Sequence, residues 1–540
     1  MHLILGIDVI PHSKAECENE MNIVYQWNLT NTPLLGQYFK IMSEKTKRQL
    51  LRVAFIVCSL TMLSPLNVGA QNWFFPFADV DGDGRVTIAD VVVVADCILN
   101  GGSTGVVTNP NTGYLSAKEY GAVGDGVTDD TDALERLFED AFQQKKAAYF
   151  DPGTYLIRRS LTLKTGMEIY GKDATITKAK AVVTSLATAA TKGQTSIEVV
   201  NASRYSPGDQ ICIVYPDQAN QCTYGIIDSI QQNVIYFTNI ISDVQPGFPG
   251  CIRDYSSGVK VTTSFALLRS WSTRFDCDGV YIHDLTLDGN RITSEPKSWA
   301  NSCIHIDAYY PGGYTGSTTG IEYRHPQRNF VARNLTIRNS SHDGISDQGE
   351  GGMVATGCFI ENCAMHGIHM GTKYFNALIS GNKLIGNGSI GAGIFFCQEV
   401  TDVVIDNNEI TSFNHGCSDE EFGTCAKFVI IRNNRFNNIT SYVFDFLKAI
   451  YSTHGSGLQI CNNKIEGLKS QMFSADYIDN MMFTGNEVTS VTQVPSKLIS
   501  ITQSLNVVIT GNTLPADVNI TTPVVSTSTS NLINTSNSWN

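Results

Sequence analysis

Charge is scarce in this sequence. Of 540 residues only 16% are Asp, Glu, Lys or Arg, while 42% are hydrophobic. That balance excludes a mostly disordered chain and a coiled coil, which need more charge or more Ala, Glu, Lys, Leu and Arg. Positive charge is the scarcer sign, with Lys+Arg at 38 against Asp+Glu at 51 and a net charge of -13. Binding nucleic acid or an anionic membrane through bulk charge is therefore excluded as the main role. Proline numbers only 16, so this is no proline-rich linker. The 14 cysteines include no CxxC pair, which disfavours a zinc site. Abundance lies elsewhere. Gly reaches 46, accompanied by many Asn, Thr and Ser, a composition rich in strands and turns.

Residues 45–70 read as an export signal. Lys45, Lys47, Arg48 and Arg52 supply a positive flank, and 53–63 is an apolar run. That run is too short to cross a bilayer, which takes about 20 residues. Val68-Gly69-Ala70 is a small-residue cleavage site, within a signal region spanning 1–70. A start at Met42 gives that signal its normal length. The expected location is secreted, periplasmic or on the surface of a bacterium. Export permits disulfides, and Cys417 and Cys425 bracket one short loop as the candidate pair. Most other cysteines sit in apolar strand contexts, such as Cys212 and Cys461, and read as buried small hydrophobes.

Residues 79–90 fit a twelve-residue calcium loop. Such a loop needs oxygens at positions 1, 3, 5 and 12, a backbone carbonyl at 7, and Gly at 6 for the sharp turn. Asp79, Asp81, Asp83 and Asp90 supply the side chains, Arg85 the carbonyl, and Gly84 the turn. Residues 91–99 continue as a short apolar helix, so 71–100 form an EF-hand-like α segment. The segment resembles a single dockerin repeat, which implies Ca2+ and a cohesin-like or surface partner. Residues 101–113 are a Gly/Thr/Asn/Ser linker.

Beyond the linker, Gly121 to Ala133 is rich in Gly, Asp and Thr and leads into an apolar helical face of Ala133, Leu134, Leu137, Phe138 and Ala141. The acids and Thr128 are placed to cap that helix. Short apolar strands follow at 147–150 and 156–157. The stretch YGAVGDGVTDDTDAL, followed by AAYFDPGTYLI, resembles the opening of the pectate-lyase superfamily. That resemblance implies a helix capping a right-handed parallel β-helix. It leaves function open, since the superfamily holds lyases, hydrolases, tailspikes and epimerases.

The C-terminal half repeats independently of that resemblance. Asn382, Asn408, Asn434, Asn463, Asn486 and Asn512 each follow Gly or Asn and precede a short strand, at spacings of 26, 26, 29, 23 and 26. A period in the twenties with Asn/Gly turns marks a solenoid. Leu335 and Cys358 extend the row upstream. Together with the family resemblance, the repeat leads to an expected fold class that is all-β: a right-handed single-stranded parallel β-helix over 114–520 with an N-terminal capping helix. A small all-β insertion occupies about 181–255, and 521–540 reads as a polar tail.

Three coils align on an inward Ile, at Ile304, Ile345 and Ile368. Equivalent positions on neighbouring coils stack about 4.8 Å apart. Asp343 then lies beside His366, and Glu350 near Lys373. His305, Ser346, His369 and Phe395 form one outward column. Paired ionisable groups shift one another and suit acid–base chemistry. The candidate catalytic residues are His366, His369, Asp343, Lys373, Asp347 and Glu350. Trp299, Tyr309 and Tyr310 are candidate sugar platforms, and Tyr374 is a substrate-binding candidate and with Lys373 an alternative base. Arg291, Arg324 and Arg328 are candidate anion contacts, and Arg291, Lys373 or a Ca2+ at the active site would neutralise a sugar carboxylate. The coils also resemble polygalacturonase-type hydrolases in part, through His366-Gly367-Ile368 and Asp343. The first motif of that family loses its Asp here, reading Asn301-Ser302-Cys303.

These residues lead to the expectation of an exported lyase acting on an acidic, uronate-containing polysaccharide. The alternatives are a glycoside hydrolase using Asp343 with Asp347 or Glu350, and a non-catalytic glycan-binding surface protein. The calcium loop makes its own prediction. Asp79→Ala with Asp81→Ala should abolish calcium binding by residues 71–105 in a calorimetric titration. The β-helix should melt at an unchanged temperature, and a large fall would show the loop packed onto the solenoid.

Overall fold

The computed structural model describes residues 113–214, 222–240, 250–271, 276–296, 301–307, 327–371, 374–397, 400–419, 426–446 and 455–539. The calcium loop, the signal region, Trp299, Tyr309, Tyr310, Arg324, Lys373 and Cys425 lie outside them.

The chain winds into a right-handed β-solenoid of about 13 turns. Three parallel sheets run its length. Among the described residues the first holds 15 strands, and the second and third hold 11 each. Each coil gives one short strand to each sheet, so every strand pairs with the coils above and below. Side chains alternate across a strand, and one face of each sheet turns inward. On the third sheet one inward row is Ile304, Ile345, Ile368, Ile394, Cys417, Phe444, Phe473 and Ile499. All eight are fully buried. Each such aliphatic or aromatic side chain contributes about 1.5–3 kcal/mol on burial. Cys417 belongs to this row. No two of the ten described cysteines form a disulfide, and nine of the ten are buried.

The helix Thr131–Gln144 covers the first coils with Leu134, Leu137, Phe138 and Ala141 buried. Its capping departs from expectation. Asp130 is the N-cap residue but makes no side-chain cap bond. Its carboxylate instead accepts the N–H groups of Val123 (2.6 Å) and Gly124 (3.0 Å). Asp129 takes the Thr131 N–H at 3.1 Å. Asp125 holds the N–H groups of Val127 and Thr128. The acids thus shape the glycine-rich turn as well as the helix start.

The asparagine row is a hydrogen-bonded ladder. The N–H of Asn382 donates to Asn408 Oδ1 at 2.9 Å, and Asn408 donates likewise to Asn434 at 2.8 Å. Asn434, Asn463, Asn486 and Asn512 continue to Asn537. Each Nδ2 also reaches a backbone carbonyl of the preceding coil, as Asn434 does to Ile405 at 3.0 Å. The residue before each ladder Asn carries the left-handed turn. It is Asn407, Asn433 and Asn462 at φ 56, 57 and 56, or Gly381, Gly485 and Gly511 at φ 65, 63 and 68. Turn conformation and stacking are split between two adjacent residues. Cys358 begins the row by donating its N–H to Asn382 Oδ1.

Two boundaries move. The insertion is a six-stranded antiparallel sheet with its own core, and its last strand, Lys260–Thr262, pairs with its first, Val183–Ser185, so it closes near residue 262. Residues 521–540 are no tail. Val524–Thr527 and Ser530–Thr535 pair in register with the coil above and form the last turn of the solenoid.

Not every inward position is apolar. Asp347 sits between Ile306 and Met370 in the second inward row of the third sheet, fully buried. The Tyr374 hydroxyl donates to its Oδ2 at 2.6 Å, and the Gly349 N–H to its Oδ1 at 2.9 Å. Tyr374 is itself fully buried. This corrects two expectations. Alternation along the strand sends Asp347 into the core, away from the face that carries His369. Tyr374 spends its ring and hydroxyl there rather than on a sugar.

Two predictions follow from the interior. Asn434→Ala strands the N–H of Asn408 and the carbonyl of Ile405, each buried. The expected loss is about 2–4 kcal/mol in urea unfolding. Asn531→Ala, on an exposed Asn row, should change stability by no more than about 0.5 kcal/mol. Burial pushes the Asp347 carboxyl up to about 6, against the hydrogen bonds of Tyr374 and Gly349. An acid raised in the fold carries no penalty below its unfolded pKa. The penalty grows as pH climbs toward 6 and is complete above it, at about 3 kcal/mol. In Asp347→Asn the change in stability from pH 4 to pH 7 should be more favourable than in the parent by about that amount. Identical pH profiles would refute the assignment.

Candidate active site

The third sheet also carries the polar face. His305 pairs in register with Ser346, Ser346 with His369, and His369 with Phe395. The column anticipated from the coil alignment is therefore present. Arg269 continues it upward from His305, and Ser418 and Asp445 continue it downward.

Asp343 lies two residues before the strand Ile345–Asp347 that carries Ser346 and is fully buried. Its Oδ1 accepts the backbone N–H of His366 at 3.0 Å, and its Oδ2 meets His369 Nδ1 at 2.9 Å. His342 Nδ1 stands 3.0 Å from Oδ1 but is off the hydrogen-bonding angle. Burial acts to raise this carboxyl. The imidazoles of His342 and His369 outweigh it and hold Asp343 well below the usual carboxylate range. The carboxylate is thus ionised and acts as acceptor, which places the His369 proton on Nδ1. In the neutral imidazole the lone pair then lies on Nε2, which is buried and has no hydrogen-bond partner among the described residues.

His366 has a different state. Its Nδ1 accepts the Ala392 N–H at 3.0 Å. Its ring stacks on Phe395 with centroids 4.0 Å apart and meets His369 edge-on at 5.4 Å. Burial pushes it down to about 3, with the like charges of neighbouring histidines adding to the effect and Asp343 opposing it. At neutral pH it is an uncharged imidazole with its proton on Nε2. The expected Asp343–His366 pair exists only through backbone. Asp343 orients His369, and His366 has no lone pair left to act as a base.

The remaining candidates separate from this centre. Gly351 bridges to Phe375, so that segment aligns at 24 residues and Glu350 faces Tyr374 rather than Lys373. Arg291 donates to Asn362 Oδ1 at 2.7 Å, at the turn between the second and third sheets. Arg328 is held by Asp278 at 2.8 Å on the flank of the first sheet. Sequence reasoning missed Arg269, Asn301 and His342. The signal for Arg269 was an extension of the coil alignment one strand upstream, where the insertion obscures the spacing.

Ligand atoms of Asp343, His366 and His369 lie within 4.8 Å of one another, close enough to suggest a metal. The hydrogen bonds argue otherwise. Both Asp343 oxygens and both Nδ1 atoms are already engaged. What remains is one lone pair on His369 and one N–H on His366, a base beside a donor.

Residues 114–369 match the model of "Rhamnogalacturonase A/epimerase, pectate lyase-like", and 319–469 that of "Right handed beta helix region". A glucan 1,3-beta-glucosidase of Cochliobolus carbonum is 34% identical over 65 residues, 12% of this chain and 8% of that protein. The match to a non-secreted LysM effector of Penicillium expansum is 40% over 58 residues, 11% of this chain and 5% of that protein. The chain therefore spans under a tenth of these curated relatives. Among solved structures, the mannuronan C-5 epimerase AlgE6 A-module of Azotobacter vinelandii is 14% identical with a TM-score of 0.47. It covers 78% of this chain and 99% of its own. The family 28 exopolygalacturonase of Yersinia enterocolitica is 12% identical with a TM-score of 0.42, covering 78% of each. Three parallel sheets coiled around one core make the fold of this chain a right-handed parallel β-helix.

Proposed function

We propose that this chain is an exported polysaccharide lyase that cleaves a uronate-containing glycan by β-elimination. The observation that supports it is the Asp343–His369 pair, which leaves Nε2 as an oriented, unpartnered base on the outer face. A uronate has one acidic carbon-bound hydrogen, at C5 beside its carboxylate. His369 Nε2 takes that proton, and the C5–H electrons form the C4=C5 double bond. The C4–O bond breaks, and the imidazolium returns its proton to the leaving oxygen. Asp343 stabilises the imidazolium while it lasts. His366 Nε2–H is a fixed neutral donor beside the base, suited to an oxygen that gains charge.

A hydrolase needs two carboxylic groups flanking one bond. Asp343 is committed to His369, and Asp347 points into the core, so the carboxylate pair of that alternative is not favoured. Calcium at Asp79, Asp81, Asp83 and Asp90, a cohesin-like partner, and bacterial secretion complete the proposal from the sequence motifs.

The test is a screen of pectins and glycosaminoglycans for ultraviolet-absorbing unsaturated product. His369→Ala should reduce its formation by about 10²–10⁴-fold, and Asp343→Asn by a comparable factor. His366→Gln, which keeps an Nε2–H donor, should retain more activity than His366→Ala. New reducing ends without ultraviolet absorbance would mean hydrolysis, and retention on a glycan without cleavage would mean a binding protein.

A further inference from the structure

A guanidinium is costly to bury unless its donors are met. Arg269 is only 5% exposed, yet its Nε and Nη1 have no hydrogen-bond partner. The nearest carboxylate, Asp307, lies 3.6 Å from Nη2, beyond hydrogen-bond distance. The group is held flat by rings on two elements. Its central carbon is 4.0 Å from the Trp271 centroid and 4.7 Å from that of Tyr224, which the insertion supplies. Burial holds the neighbouring His305 below its ordinary value, so no second cation competes there.

A second orphan lies on the next coil. Asn301 is 1% exposed, and both its Oδ1 and Nδ2 lack a partner. The pairing of Ile304 with Ile345, carried back along the strand, sets Asn301 beside His342. Buried polar groups are nearly always satisfied, and exceptions call for a reason. Here Arg269, Asn301 and His369 Nε2 fall on three coils of the same sheet. A cavity of about 430 Å³ adjoins the upper end. It is lined by Thr162, the register partner of Arg269, by Trp271, and by Ile226 two residues from Tyr224. The acids in that lining are engaged, Glu135 with Arg159 and Asp228 with the Thr238 hydroxyl.

We infer that Arg269 and Asn301 form a binding subsite for the polysaccharide, upstream of the reacting unit. The Arg269 fork, preset by Trp271 and Tyr224, takes a sugar carboxylate through Nε and Nη1, and the Asn301 amide takes hydroxyls. Three coils separate Arg269 from His369, about 14 Å at 4.8 Å per coil. The carboxylate it binds therefore belongs to a different unit from the one His369 deprotonates. The glycan must carry acid groups on more than one unit and lie along the helix axis. The insertion is then part of the binding cleft, through Tyr224.

This inference rests on the lyase reading and can fail separately from it. The probes are oligogalacturonate and hyaluronan oligosaccharides and their carboxyl-reduced counterparts. In the full chain, Arg269→Gln should raise KM for the acidic substrate that the parent cleaves by about tenfold or more, with kcat changed far less. In a His369→Ala background the same change should weaken binding of that acidic oligosaccharide, by calorimetry, and leave the reduced form unaffected. Asn301→Ala should weaken both. Should Arg269→Gln fail to fold, Arg269→Lys decides: it keeps the charge, loses the fork, and should still weaken acidic binding. A folded Arg269 variant with parental KM and affinity overturns the subsite and leaves the lyase intact. A parent that cleaves no acidic glycan overturns the lyase reading and the subsite with it.

Discussion

Every strand of this solenoid finds its backbone partners in the coils above and below. Nothing within a single coil can satisfy its own amides, so each turn is stable only when stacked. The register of that stacking is what the rest of the molecule depends on. It sets the inward rows of Ile, Leu and Phe and brings the turns into line. Once the turns are in line, identical side chains can bond from coil to coil. The ladder from Asn382 to Asn537 is the result, and it pins the register of the C-terminal half at buried positions.

The same register builds the polar centre. Asp343 and His369 are 26 residues apart in sequence and 2.9 Å apart in space because they lie on adjacent coils. Alternation along each strand then sorts neighbours into different roles. His369 faces outward with a free lone pair, while Asp347 and Tyr374 are sealed together inside. The two buried carboxyls have opposite fates for that reason. Asp343 meets imidazoles and is held ionised, and Asp347 meets a hydroxyl, an amide and apolar side chains and is pushed toward its neutral form.

Much of the fold was legible in the residues. The Asn/Gly period announced stacked coils, and the amphipathic face of 133–141 announced a helix, whose place as a cap the family resemblance implied. The column His305, Ser346, His369 and Phe395 could be written down from alignment on three isoleucines. What could not be read was the side-chain pairing between adjacent coils. Asp343 was assigned to the His366 ring because coil alignment puts the two positions side by side. The backbone N–H of His366 occupies that place, and the carboxylate reaches on to His369. The terminal residues 521–540 carry few aliphatic residues and no charge, so they read as a tail. Stacking on the coil above supplies the pairing that their composition does not advertise.

The sequence by itself determined the class of architecture, because a periodic pattern of turns and inward apolar residues has few other ways to bury itself. It also determined which coils concentrate His, Asp and Arg. Only the tertiary structure decided protonation and role. Whether a histidine is base or donor depends on which ring nitrogen is already bonded, and that turns on distances of about 3 Å between coils. The Ala392 N–H disposes of one lone pair, on His366, and Asp343 frees another, on His369. Arg269 shows the same division. Its charge is visible in the sequence, but its burial between Trp271 and Tyr224, with donors left unmet, exists only once the insertion folds against the solenoid.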